Sequence, residues 1–458
     1  MTRHLIIGGS DAGISAALRI RELDPAADVT VVAADAYPNF SICGLPFFLS
    51  GEVPDWRDLA HRRAPEIEAH GIGLRLNQRA EKIDAAARTV LLAAPDGAFR
   101  RMSYDRLLIA TGAESVRPPI EGLDSPGVFF LRWMDDSFAV KDFMDRRHPR
   151  RAVVVGGGYI GLEMADALTH RGMAVTLLEF APEVLTTLDP ELGALIRAEL
   201  DAQGVRVITG QAVKRIAPQA DGLVVQTADG RNAPADMVIV AAGARPSTAL
   251  AATAGIDTGA GGAIRVDRTM ATSVPGIWAA GDCVETWHRV LGRNVYLPLG
   301  TTAHKQGRVA GENMLGGKRE FPGSLGTQAV KVFDRVAART GLRDREALEA
   351  GYIPLTVALT VWDHKAYYPG ATRIHLRLTG DRGSGRLLGV QIVGRRTAEI
   401  AKRIDIAATA LFHAMPVEDL SGLDLAYTPP LSSPWDPVQM AAQAWCAEAR
   451  ASVSAASS

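Results

Sequence analysis

Two stretches of this chain repeat one pattern, and that repetition constrains the fold more than any other feature. The first runs Leu5-Ile6-Ile7, then Gly8-Gly9-Ser10-Asp11-Ala12-Gly13, then a helical stretch to about Leu23, then Val29-Thr30-Val31-Val32. The second runs Val153-Val154-Val155, then Gly156-Gly157-Gly158-Tyr159-Ile160-Gly161, a helix to about Arg171, then Val175-Thr176-Leu177-Leu178. Each reads as strand, glycine turn, helix, strand. In such a unit the tight turn aims the free amides and dipole of the helix N-terminus at one point, a seat for a pyrophosphate. One such fingerprint is weak evidence. Two in one chain, each between a strand and a helix, imply two dinucleotides and electron transfer between them.

Three further segments read as buried strands ending in small-residue turns. They are Tyr104–Gly112, closing on Thr111 and Gly112; Val238–Gly243; and Gly276–Asp282, closing on Gly281 and Asp282. After about Gly323 the texture changes to an α+β domain, with half-buried strands at Val330–Phe333 and Ile374–Leu378 and helices at 344–350 and 397–414. The Ala- and Ser-rich tail 447–458 reads as disordered.

The 458 residues suffice for about two to four domains. With 50 basic and 51 acidic side chains, neither nucleic acid nor an anionic membrane surface is implied as a partner. No apolar run reaches transmembrane length, and His4–Gly8 enters a strand directly rather than a signal peptide. The three cysteines, Cys43, Cys283 and Cys446, are too far apart for a disulfide framework or a zinc site, so no metal is implied. A cytoplasmic, reducing compartment is the default expectation.

Taken with Phe40-Ser41-Ile42-Cys43-Gly44-Leu45-Pro46, Gly156–Glu163, Pro275–Cys283, Pro298–Arg308 and Asp424–Pro430, the chain resembles the pyridine nucleotide–disulfide oxidoreductases over nearly its whole length. Within them it is most similar to the single-cysteine branch of coenzyme A–disulfide reductase, NADH peroxidase and NADH oxidase. The resemblance implies an α/β fold with two Rossmann-like nucleotide-binding domains, one for FAD and one for NAD, plus a C-terminal α+β dimerisation domain. The FAD domain is discontinuous, 1–112 and 247–323; the NAD domain is 113–246; the interface domain is 324–446. The last builds a homodimer and contributes to the partner's active site.

On that resemblance Gly8, Ser10 and Gly13 form the FAD pyrophosphate turn, and Asp282 reaches the ribityl chain of FAD. The family usually ends the next strand with a Glu for the adenosine ribose. Here that position is Ala33, and Asp35 either takes its place or is a solvated loop acid. Gly156, Gly158 and Gly161 hold the nicotinamide nucleotide. Glu179 ends the following strand, where a carboxylate accepts from a ribose 2′-hydroxyl and repels a 2′-phosphate, favouring NADH over NADPH. Tyr159 resembles the aromatic gate over the flavin.

Cys43 is the central candidate, because the resemblance sets it beside the flavin ring. The segment from Gly44 reads as a helix start, with Pro46 tolerated in the first turn. A helix N-terminus and an adjacent flavin are expected to lower the thiol pKa. No second cysteine lies nearby, so its oxidised form is a mixed disulfide, a persulfide or a sulfenic acid. Cys283 and Cys446 read as packing residues. Tyr367, Tyr368 and Tyr427 match tyrosines that, in coenzyme A–disulfide reductases, reach across the dimer to the redox sulfur, where a phenol can protonate a leaving thiolate.

Two residues depart from relatives. Asp11 replaces the histidine of peroxidases and water-forming oxidases, either as a catalytic change or as a plain helix-N-terminal acid. Glu22 replaces one basic position beside Arg19 and Arg21, which weakens the match to coenzyme A. The leading expectation is an NADH-dependent reductase of a small-molecule disulfide, polysulfide or persulfide. The alternatives are an NADH oxidase or peroxidase working through a Cys43 sulfenate, and an electron-transfer flavoprotein serving a protein partner.

Overall fold

The computed structural model describes residues 2–456. Its first sheet has five parallel strands in the order Ile277–Ala279, Arg106–Ile109, Arg3–Ile7, Asp28–Val32, Ile72–Arg75. The second is built alike, from Arg206–Ile208, Ala174–Leu178, Arg151–Val155, Met237–Val240 and Val128–Phe130, again all parallel. Both central strands are buried runs, as parallel strands covered on two faces must be. In each sheet the first strand of a glycine-turn unit is central and its second strand lies beside it, so the two turns emerge at corresponding sheet edges.

The helix Asp11–Leu23 follows the first turn and buries the continuous run Ala12–Ala17 together with Ile20, because it is packed between the sheet and the helix Gly300–Met314. The helix Tyr159–His170 follows the second and buries Leu162, Met164, Ala165 and Leu168. Between the first two domains the chain crosses twice, through Ala113–Ser115 and Ala244–Pro246, which pair as an antiparallel ribbon.

The third domain is a five-stranded antiparallel sheet in the order Gln328–Val332, Arg335–Gly341, Leu387–Arg395, Arg373–Asp381, Pro354–Trp362. The helices Ile400–Phe412 and Pro437–Ala456 pack on it. The tail departs from expectation: a helix runs through 447–456, and 457–458 lie outside the described residues. Val438, Ala441, Ala442 and Trp445 anchor this helix in the core. Alanine, the best helix former, then carries it onward although the composition is that of a disordered tail. No helix among the described residues is long and apolar enough to cross a membrane.

Candidate active site

The two glycine turns superpose in their chemistry. Gly8 and Gly156 have φ of 124° and 110°, a region that L side chains rarely enter. A Cβ on Gly13 would lie 1.9 Å from the Gly8 carbonyl oxygen, and one on Gly161 would lie 1.9 Å from that of Gly156. Glycine at those positions is therefore what lets each helix start against its own turn. Ser10 precedes the first helix and Gly158 the second; both are exposed, and a Cβ on Gly158 would meet nothing within 4 Å. That open, amide-lined cradle fits a pyrophosphate at each turn.

The turns differ in what backs them. Gly8 N donates to Val32 O and Gly156 N to Leu178 O, both at 2.8 Å, so Ala33 and Glu179 occupy equivalent positions. Glu179 folds back, accepting from Gly157 N with one oxygen and from Ala181 N at 2.6 Å with the other. Ala33 offers only a methyl. Asp35 is half-buried and accepts from Tyr37 N at 2.9 Å, capping its own turn with one oxygen. Burial pushes its carboxyl up, and the Tyr37 amide opposes this.

Thr111 and Gly112 stand where the chain leaves the first domain. The Thr111 hydroxyl donates to Ser247 O at 2.7 Å and Ser247 N to Gly112 O at 3.0 Å, tying the outgoing and returning strands together. Gly281 lies against the first helix, where its Cβ would come within 2.9 Å of the Ala12 methyl, and its N donates to Gln306 Oε1 at 2.9 Å. Next to it, Asp282 Oδ2 accepts from Arg132 Nη2 at 2.7 Å, with both side chains mostly buried. Arg132 carries no local signal in the chain, because its partner lies in another domain.

Cys43 sits in a tight turn, Ile42–Gly44, that leads into the short helix Leu45–Ser50, which packs on the helix Tyr159–His170. It is exposed, whereas Cys283 is fully buried and Cys446 half-buried against the third core. Cys283 is packed beneath the Ile109 and Ala280 carbonyls, and burial pushes its thiol up to about 11. The groups of the chain push the Cys43 thiol up as well. Desolvation in its recess is the largest cause; Glu163, Asp11 and Asp282 add to it, and Arg132 opposes them. The recess opens to solvent on one side, which is how an exposed residue can still be desolvated on the others.

Two of those carboxylates are themselves displaced. Glu163, one turn along the helix from Tyr159, is pushed up to about 7 by burial, with Lys331 opposing and Asp166 adding. Asp11 is raised by burial, against the pull of His61 and His304. Its Oδ1 accepts from Asn39 Nδ2 at 3.5 Å, and His304 Nδ1 lies 2.7 Å from Ser15 Oγ. Glu163, Asn39 and His304 were not singled out from sequence, although Glu163 ends the second glycine motif and His304 lies within the stretch Pro298–Arg308. Arg19 is paired with Glu22 and Glu312, Arg308 with Glu22, and Arg21 donates to the His70 and Ala27 carbonyls. The basic groups of the first helix are therefore already satisfied within the chain.

Tyr159 is half-buried, and its oxygen accepts from Thr187 Oγ1 at 3.2 Å. Tyr367, Tyr368 and Tyr427 lie on irregular segments of the third domain and are 73%, 42% and 44% exposed. Tyr427 and Tyr367 are electrostatic neighbours, whereas Tyr368 stands edge-on to His364 with ring centres 5.9 Å apart. Both segments converge on Arg403, which donates to Asp363 O at 2.6 Å and is ion-paired with Asp436 at 3.1 Å.

Comparison with known proteins agrees with this architecture. The sequence profile of the family described as pyridine nucleotide-disulphide oxidoreductase matches residues 2–307, and that of its dimerisation domain matches 327–437. The chain is 38% identical over 440 residues to the NAD(P)H sulfur oxidoreductase (CoA-dependent) of Pyrococcus abyssi, covering 96% of this chain and 97% of that one. It is 33% identical to the NADH oxidase of Methanocaldococcus jannaschii, covering 96% and 98%. Among solved structures, a NAD-dependent persulfide reductase from A. fulgidus superposes with a TM-score of 0.94 at 39% identity, over 98% of this chain and 83% of that one.

Proposed function

The chain belongs to the pyridine nucleotide-disulphide oxidoreductase family, and from that premise we propose that it is an FAD-dependent NAD(P)H:disulfide oxidoreductase working through Cys43. Its oxidant is a small-molecule disulfide, polysulfide or persulfide. The observation that carries this reading is that Cys43 alone of the three cysteines is exposed, in a recess bordered by charged groups from both nucleotide-binding domains. FAD, when bound, relays two electrons from the nicotinamide hydride to sulfur. Gly8, Ser10 and Gly13 hold its pyrophosphate, with Asp282 at the ribityl chain; Thr111, Gly112, Gly281 and Asp35 complete the surround. Gly156, Gly158 and Gly161 hold the nicotinamide nucleotide, and Glu179 takes its ribose hydroxyls, favouring NADH. Tyr159 covers the place the nicotinamide must reach and moves aside for it.

The Cys43 thiolate attacks one sulfur of the substrate S–S bond. A Cys43–S bond forms, the substrate S–S bond breaks, and the departing thiolate takes a proton. Two electrons and a proton then free the second thiol and restore Cys43. The proton donor is Tyr427, which lies beside Tyr367 and is supplied by the other chain of a homodimer. Their exposure in a single chain supports this, since a phenol serving a partner must stand on the surface. Three titratable sulfurs held as free thiols suit a reducing cytoplasm.

A second reading, NADH oxidase or peroxidase through a Cys43 sulfenate, has more than one relative's name behind it. It needs a base beside the sulfur, and the carboxyl of Asp11, raised by burial, fills that position less well than an imidazole. The deciding experiment is anaerobic reduction by NADH, followed by rapid mixing with disulfides, polysulfide, peroxide and oxygen. Reoxidation fastest with a sulfur compound supports the first reading, and fastest with peroxide or oxygen supports the second.

A further inference from the structure

Between the strand Ala174–Leu178 and the helix Pro190–Ala202, the chain returns past the second glycine turn. Leu185 N donates to Gly157 O at 2.8 Å, and Leu185, buried, holds a φ of 51°. A left-handed leucine is costly and persists only where its surroundings fix it. They do. The four residues that follow are each gripped by the third domain. Arg343 Nη1 donates to the Thr186 carbonyl at 2.5 Å and to that of Leu188 at 3.2 Å. Arg339 Nη1 donates to Thr187 O at 2.7 Å, and Gln391 exchanges two 2.7 Å hydrogen bonds with Asp189. Arg339 is itself locked by Glu346 and by the Gly341 carbonyl. Within this clamped segment, the Thr187 backbone is held by the third domain while its side chain faces its own domain, where Oγ1 donates to the Tyr159 oxygen at 3.2 Å.

We propose that Thr187 is a positioning residue that latches the Tyr159 ring in its closed place, and that the third domain sets the latch through Arg339. This rests on the reading of Tyr159 as the ring that must move for nicotinamide to enter. Opening then breaks one side-chain hydrogen bond while the backbone bonds to Arg339, Arg343 and Gln391 stay made. The clamp keeps the threonine where the ring can return to it, so the dimerisation domain tunes how often the nicotinamide path is open. A ligand that needs the open form binds more weakly by the fraction of time the latch is closed.

The test compares two ligands on the FAD-loaded protein by calorimetry. NAD⁺ must displace the ring, whereas ADP-ribose, lacking nicotinamide, need not. Thr187→Val keeps the shape and removes the hydroxyl. It should tighten NAD⁺ by about 2- to 10-fold, the worth of one hydrogen bond, and leave ADP-ribose unchanged. Thr187→Ser should restore the parent value. Tyr159→Phe should match Thr187→Val, and the double variant should add nothing further. Equal shifts for both ligands, or none for NAD⁺ in Thr187→Val, overturn the latch. Tyr159→Ala separates the two ideas. If it changes NAD⁺ binding relative to ADP-ribose while Thr187→Val does not, the latch alone fails. If it changes neither, the ring is no gate and both readings fall.

Discussion

Arg132 Nη2 lies 2.7 Å from Asp282 Oδ2, joining the first two domains at the carboxylate expected to meet the FAD ribityl chain. The guanidinium is also the one charge that favours the Cys43 thiolate, against Glu163, Asp11 and Asp282. Desolvation is the largest influence on the sulfur's acidity; beside it stands a balance of named side chains, and each can be removed separately.

The first prediction follows from the signs. Removing a negative neighbour stabilises the thiolate and lowers the Cys43 pKa; removing Arg132 raises it. Glu163, at about 7, is ionised throughout the higher range in which Cys43 titrates, so its charge acts in full there. Glu163→Gln and Asp11→Asn should each move the pH midpoint of Cys43 alkylation downward, and Arg132→Gln should move it upward. Peptide mass mapping of iodoacetamide-treated protein across pH reads this. A midpoint that ignores all three variants would show that desolvation alone sets the thiol.

Cofactor choice is the second. Glu179 presents a carboxylate at the ribose end of the second turn, held there by the Gly157 and Ala181 amides. A 2′-phosphate meets repulsion and finds no donor, which should cost roughly 1–3 kcal/mol, about tenfold to a hundredfold in kcat/KM against NADPH. Glu179→Ala should erase most of that preference. Equal kcat/KM for the two coenzymes in the parent protein would mean that the phosphate is accommodated elsewhere.

Arg403 carries a third. With Asp436 it forms a deeply buried ion pair, and it bonds both the 363–368 segment and Leu431 O at 3.4 Å. Arg403→Met leaves Asp436 without its guanidinium and should destabilise the protein by roughly 3–5 kcal/mol. Because Tyr367 and Tyr427 hang on the segments it joins, thiol release should slow while flavin reduction by NADH keeps its rate. An unchanged melting temperature with unchanged thiol release would remove Arg403 from both roles.

Much of this was legible in local sequence. Gly8, Gly13, Gly156 and Gly161 announce their turns because backbone geometry excludes every other residue there, and that constraint acts within six positions. The contrast of Ala33 with Glu179 is equally local. What escaped was everything made by distant pairing. Arg132 is 150 residues from Asp282, and Arg339 is 152 from Thr187. The turn that carries Cys43 was legible, but the charges around its thiol were not, because a motif shows the helix and not the carboxylates folded around it. The tail erred for a related reason: Trp445 packing extends a helix that composition alone disfavours.

The last prediction concerns how the site is shared. Tyr427 is 44% exposed and lies beside Tyr367, with the pair displayed on the domain whose profile is that of dimerisation. If Tyr427 protonates the thiolate leaving Cys43 of the other chain, the two residues belong to one site but to different subunits. Cys43→Ser should abolish disulfide reduction yet leave flavin reduction by NADH intact, since hydride transfer needs no sulfur. Tyr427→Phe should slow only the disulfide half-reaction, by roughly 10²–10⁴-fold, the usual worth of a general acid. Subunits of the two variants, exchanged at equal concentration, should then recover about a quarter of parent turnover. Half of the dimers are mixed, and each mixed dimer pairs an intact Cys43 with an intact Tyr427 at one of its two sites, the other site lacking both. Exchanged dimers as inactive as their parents would mean that Tyr427 serves the cysteine of its own chain or takes no part in the chemistry.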